Sequence, residues 1–172
     1  MQQNQTSGKN TSNQPNQAVK PTIIAVTECS EQQTPRQPWS HLSLNVRQNM
    51  KIGNQYSRAQ IAATLGGSTR VFAPFANNHI TCICLDLEKN PGAPNIILPK
   101  GGPLREKMVD LISKSSGPLP IFIKRGNKAW EYMGTMEFDK ISRSKSDIIR
   151  HHKKSVTPVN AIIAVIYMKW KT

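Results

Sequence analysis

Acidic side chains are scarce in this sequence. Only 10 Asp and Glu stand against 23 Lys and Arg, leaving a formal net charge of +13 over 172 residues. Self-repulsion of that size disfavours compaction, so a polyanionic partner is the simplest reason for a chain to keep it. Long apolar runs are missing too, and no stretch of about eighteen apolar residues occurs, so no membrane-spanning helix is expected. Nor is there a basic amphipathic helix with an aromatic face to hold the chain on a membrane surface. Cysteine is limited to Cys29, Cys82 and Cys84. That odd count without framework spacing excludes a disulfide scaffold and predicts reduced thiols in cytoplasm, nucleoid or nucleus. The polar stretch from Met1 to Gln17 lacks the apolar centre of a secretory signal, which again predicts an intracellular chain. Catalytic signatures are absent as well: there is no G-x-S-x-G, no P-loop and no H-E-x-x-H. A binding role without a cofactor is therefore expected ahead of catalysis.

The length suits one domain with a proper core and is too short for two comfortable ones. Residues 1–20 are Gln, Asn, Ser and Thr with almost no large apolar side chains. They cannot bury enough surface to offset their ordering entropy, and read as a disordered tail. Residues 21–40 read as a linker, with a short strand signal at Pro21 to Val26, prolines at 35 and 38, and Trp39 placed to pack on the domain. Residues 41–172 form that domain. They hold 20 basic and 8 acidic residues, a net of +12, against +1 for residues 1–40. The folded part is the basic part.

Within it, Ser57 and Gln60 form a capping box before Ile61, Ala62 and Leu65, and Gly66-Gly67 ends that helix. A strand is expected at Arg70 to Phe72. Another is expected from His79 to Leu87, apolar on both faces and hence central. The tract Asn90 to Gly102 reads as loop. Pro103 opens a second helix with a Leu104, Met108, Leu111, Ile112 stripe, ended by Gly117 and Pro118. Leu119 to Lys124 and Ala129 to Phe138 read as a hairpin turned at residues 125–128. A basic loop, Lys140 to Lys154, precedes a last central strand from Asn160 to Trp170. Five to seven strands with two short helices predict an α+β domain whose mixed sheet curls into a partly closed barrel.

Several of these segments carry a resemblance. Tyr56-Ser57-Arg58 before a helix ending Leu65-Gly66-Gly67, then Asn90-Pro91-x-Ala93-Pro94, then Pro120-Ile121-Phe122-Ile123-Lys124, then Trp130-Glu131-Tyr132-Met133-Gly134 succeed one another in order. Together they resemble a PUA-like, SRA-type domain of the kind fused to HNH nucleases in modification-dependent restriction enzymes. The resemblance covers residues 56–138, about half the chain. It implies a barrel that reads a modified base flipped into an aromatic-walled pocket. No HNH motif accompanies it, and pocket residues do not match one by one.

The candidate phosphate-binding set is Lys140, Arg143, Lys145, Arg150, Lys153 and Lys154, interrupted by a single acid, Asp147. Ser142, Ser144 and Ser146 alternate with these charges, and hydroxyls also donate to phosphate oxygens. The bland alternative is a solvated connector. The candidate base pocket is Tyr56, Arg58, Phe75, Trp130 and Tyr132, with Phe72 a further candidate wall. Trp130, Tyr132, Met136 and Phe138 alternate along one strand, so they share a face. An exposed face of this kind is a stacking platform, and an interior one, the commoner outcome, is core. Asp86 and Glu131 are candidate acceptors for a base edge. Cys82, Cys84 and His79 lack a second ligand pair at zinc spacing, so buried thiols are expected and no metal. The expected function is a nucleic-acid-binding module, DNA favoured over RNA, that recognises a modified or flipped base. The alternatives are an enzyme acting on nucleic acid, such as a base-processing hydrolase or nuclease-associated subunit, and a basic protein-interaction adaptor.

Overall fold

Ser57 starts the first helix by the expected route. Its hydroxyl accepts from Gln60 N at 3.2 Å, and the Gln60 amide oxygen accepts from Ser57 N at 2.8 Å. The structure, a computed structural model, describes residues 50–170. The expected tail, the 21–40 linker with its strand, Trp39 and Cys29 lie outside the described residues. In chain order the elements are β1 (Gln55–Tyr56), α1 (Arg58–Leu65), β2 (Phe75–Ala76), β3 (His79–Ile80), β4 (Ile83–Leu85) and β5 (Ile96–Ile97). They continue with α2 (Pro103–Ser113), β6 (Leu119–Lys124), β7 (Trp130–Ser142), α3 (Lys145–His152), a 3₁₀ turn at Val159–Ala161 and β8 (Val165–Trp170).

The class is α+β. Six strands make one mixed sheet in the order β4-β6-β7-β8-β5, with β1 paired on β7, and β2-β3 form a separate ribbon. The pair β4-β6 is parallel and the other pairs are antiparallel. The expected barrel is not closed among the described residues, because β4 and β5 end the sheet without meeting.

Two bulges explain why simple alternation misplaces the long strand. Ile121 pairs with Gly134 and Phe122 with Tyr132, so Met133 is the extra residue. Each bulge reverses which face later side chains take. Trp130 and Tyr132 therefore pack with Phe122, Cys82, Cys84, Ile61 and Leu65, while Met133, Met136 and Phe138 pack on the opposite cluster. The expected single aromatic face is thus split. Gly134 sits at the reversal with φ +101°, a conformation glycine adopts freely.

The His79 to Leu87 run is also broken. Thr81 and Cys82 interrupt it, so Ile80 joins Ile83 and Leu85 rather than the cysteines. The resulting β4 is terminal in the sheet, not central. Its outer edge is shielded by chain 70–72, which forms no strand but offers the Phe72 carbonyl to Cys84 N at 2.7 Å. By contrast β8 does lie inside the sheet, between β7 and β5, although it starts only at Val165. Along it, Ile166 and Met168 enter the large cluster, and Val165 and Tyr167 face α3 through Ile148.

Helix α2 presents Met108, Val109 and Ile112 to the large cluster, leaving Leu104 half exposed, and stops at Ser113. The basic connector is corrected as well. Lys140 belongs to β7, and residues 145–152 are a third helix anchored by buried Ile148.

Candidate nucleic-acid interface

Residues 69–72 divide two adjoining cavities. The inner one, of about 270 Å³, is walled by Arg58, Thr69, Val71, Phe72, Cys84, Asp86, Lys124 and Trp130. The outer one, of about 580 Å³, has a floor of Phe72, Ile97, Leu98 and Met108. Its rim carries Arg70, Lys89, Lys100 and Arg105, with Val156, Thr157 and Pro158 along one side. Arg70, Val71, Phe72, Lys89 and Asn90 line both.

Arg58 organises the inner cavity. Its guanidinium stacks over the Trp130 ring, 5.2 Å from the centroid. Nε donates to Thr69 O at 3.0 Å, and Nη2 donates to Ser68 O at 3.2 Å and to the Val71 carbonyl. The planar fork thus fixes the 68–71 turn through its carbonyls. The other nitrogen, Nη1, is buried without a hydrogen-bond partner. Asp86 is half-buried, its Oδ2 3.2 Å from Lys124 Nζ, while Oδ1 accepts from Glu88 N at 3.1 Å. Asn90 is buried and satisfied: its side chain donates to Asp86 O and accepts from Leu98 N at 2.8 Å. These bonds hold the 86–98 loop rigidly beside both cavities.

Cys82 and Cys84 lie with their sulfurs 3.9 Å apart in the core beneath Arg58. Burial pushes the Cys84 thiol well above its usual range. The hydrogen bond from Cys84, aided by the Arg58 charge, pulls Cys82 down. The pair therefore carries at most one shared negative charge near neutral pH. Among the described residues no three His, Cys, Asp or Glu side chains gather as metal ligands.

Of the expected pocket set, Arg58 and Trp130 border the inner cavity. Tyr56 and Tyr132 pack behind them on Phe122, at ring separations of 6.4 and 5.1 Å. Tyr132 is buried, and the Tyr56 hydroxyl accepts from Lys51 N at 2.9 Å. Phe75 stands apart: it belongs to the β2-β3 ribbon, packs on the other cluster and is covered by Lys107 Nζ at 4.9 Å. Glu131 forms an ion pair with Arg125.

The expected phosphate set is spread over β7, α3 and the chain on either side of α3. Lys140 Nζ sits over the Tyr167 ring at 4.9 Å, and Arg143 pairs with Glu106 at 3.1 Å. Lys145 opens α3, Arg150 pairs with Asp147 at 3.2 Å, and Lys153 and Lys154 are exposed beyond the helix. The serines are used locally: Ser142 Oγ donates to Asp147 at 2.6 Å, and the Ser144 and Ser146 hydroxyls bond each other. The chain after Lys154 returns to the outer cavity, with Ser155 Oγ donating to Lys89 O at 2.7 Å and Val156 N to Glu88 O at 2.9 Å.

Arg70, Lys89, Lys100 and Arg105 escape a reading of the sequence because they are isolated in it. A search for charge runs finds Lys140 to Lys154 and passes over single cations that folding collects. The one local signal is Lys100-Gly101-Gly102-Pro103, a basic glycine turn running into a helix.

No family model and no curated protein matches the chain. Among solved structures it is similar to the crystal structure of the SUVH5 SRA–hemimethylated CG DNA complex. That match has 9% identity and a TM-score of 0.49, and covers 72% of this chain and 89% of that one.

Proposed function

We propose that this chain is a nucleic-acid-binding module that lays a phosphate backbone across the basic rim of the double cavity and admits one modified or flipped base. The observation that carries this reading is the charge of the walls. Arg58, Arg70, Lys89, Lys100, Arg105 and Lys124 surround the two cavities against one carboxylate, Asp86, which Lys124 already neutralises. Low-dielectric walls lined by one sign of charge focus the field and concentrate anions. The Phe72 and Trp130 rings supply apolar wall against which a base can pack. The Lys140 to Lys154 segment extends the same basic surface through Lys153 and Lys154. DNA is favoured over RNA through the resemblance of residues 56–138, and reduced Cys82 and Cys84 suit an intracellular setting.

Fluorescence anisotropy with labelled duplexes, unmodified, hemimethylated and fully methylated at cytosine, alongside single-stranded DNA and RNA of equal length, tests this. Binding to DNA with a preference for one modified or unpaired form is expected. Equal affinity for every probe would reduce the protein to a backbone binder, and no binding at low salt would overturn the reading.

A further inference from the structure

The outer cavity differs from the inner one in a way that defines its ligand. Four cationic side chains border it, and no acidic side chain lines it. Arg70, Lys89 and Lys100 take part in no ion pair among the described residues, and the Arg105 guanidinium meets only the Gly101 carbonyl, at 3.3 Å. In the other basic set Lys140, Arg143 and Arg150 are stacked or paired, and Lys145, Lys153 and Lys154, unpaired among the described residues, line neither cavity. Below this rim the floor is apolar, made of Phe72, Ile97, Leu98 and Met108. The volume, about 580 Å³, falls in the range of small-molecule sites. A bare anion would leave the apolar floor wet, and a purely apolar ligand would leave the cations without a partner. A planar apolar ring carrying a phosphate satisfies both.

We infer that the outer cavity is a preformed site for a single nucleotide, held by its phosphate on Lys100 and Arg105 and by its ring on Phe72. A free mononucleotide is then a ligand without any duplex around it. This rests on the nucleic-acid reading above and names the unit that the cavity recognises. The nucleotide can arrive free or as one unit of a strand, and the two sources share the chemistry. The rigidity of the walls supports a preformed site. Asn90 locks the 86–98 loop, Arg58 locks the 68–71 turn, and Ser155 and Val156 bond Lys89 and Glu88 on the remaining side.

The test uses the full chain and deoxynucleoside 5′-monophosphates, with the matching nucleosides and inorganic phosphate as controls. Binding is read by thermal shift and by displacement of a fluorescent single-stranded oligonucleotide. At about ten times its Kd a mononucleotide is expected to raise Tm by on the order of 5 °C and to displace the oligonucleotide. The nucleoside is expected to bind about tenfold or more weakly, because the charge-assisted bonds are gone. A Lys100→Ala/Arg105→Ala double variant, both positions exposed, should keep its circular dichroism spectrum and lose the nucleotide response. Inorganic phosphate competing as well as the nucleotide would show that the ring is not bound and overturn the inference. So would DNA binding that saturating mononucleotide leaves untouched, and in that case the nucleic-acid reading would stand. Binding of neither DNA nor nucleotide would sink both.

Discussion

The Arg58 guanidinium is stacked on Trp130, 5.2 Å from the ring centroid, while its nitrogens reach the carbonyls of Ser68, Thr69 and Val71. One side chain thereby ties the start of α1 to β7 and to the turn that separates the two cavities. Arg58→Ala should cost about 1–3 kcal/mol, since hydrogen bonds to a charged group are the strong ones and the site is only partly buried. Arg58→Lys should recover little of this, because an ammonium cannot span three carbonyls. Urea unfolding measures both, and a lysine variant as stable as the wild type would contradict the fork geometry.

A smaller effect is expected at the other end of the same turn of chain. Ser57→Ala removes the acceptor for Gln60 N and should destabilise by about 1 kcal/mol, within the usual range of roughly 0.5–2 for such caps. Gln60→Ala leaves the hydroxyl bond and should cost less. Denaturation midpoints that do not move in Ser57→Ala would mean that α1 is held by Ile61 and Leu65 alone.

That capping box, the proline start of α2 and the β6-β7 hairpin are all legible in the sequence, because each is a local device with its own residues. The features that escape it depend on pairing across the sheet. The Met133 bulge separates Trp130 and Tyr132 from Met136 and Phe138, and nothing local announces it beyond Gly134. Helix α3 is obscured by its own charge, since only two of its eight residues are apolar, Ile148 and Ile149, and only Ile148 is buried. The site obeys the same rule. Arg58 and Trp130 belong to motifs that stay together along the chain. Arg70 and Lys89 come from separate turns and Lys100 and Arg105 from the start of α2, and only the fold assembles the three segments.

The buried thiols give the protein a pH dependence. Unfolded, Cys82 and Cys84 both ionise near pH 9; folded, burial holds Cys84 protonated well beyond that while Cys82 is favoured as thiolate. The folded state thus retains a proton that the unfolded state has lost, so stability falls as pH rises above about 9. Below about 9 the lowered Cys82 contributes the opposite slope, so the fall belongs to the pH range above the unfolded value. Urea midpoints at about pH 9.5 and about pH 10.5, both above the unfolded thiol value, should differ more in the wild type than in a Cys82→Ala/Cys84→Ala variant. Lysine and tyrosine titrations cancel in that comparison, and equal slopes would refute the coupling.

The two basic regions should separate by salt. If phosphates sit on Lys100 and Arg105, removing each such cation should flatten the plot of log affinity against log salt by about 0.9 on duplex DNA, or about 0.7 on a single strand. Lys100→Ala/Arg105→Ala should therefore reduce the slope by roughly 1.5–2 and also weaken any preference for a modified base, because the same rim orients the nucleotide. Lys153→Ala/Lys154→Ala should reduce the slope by a similar roughly 1–2 while leaving that preference intact, since these exposed residues come after α3 and do not line either cavity. Arg143→Ala and Arg150→Ala should change it least, their charges already being answered by Glu106 and Asp147. Anisotropy titrations at four or five salt concentrations give all these slopes on one probe. If the Lys153/Lys154 variant alone flattens the plot, the backbone runs along the end of α3 and the double cavity is not its track.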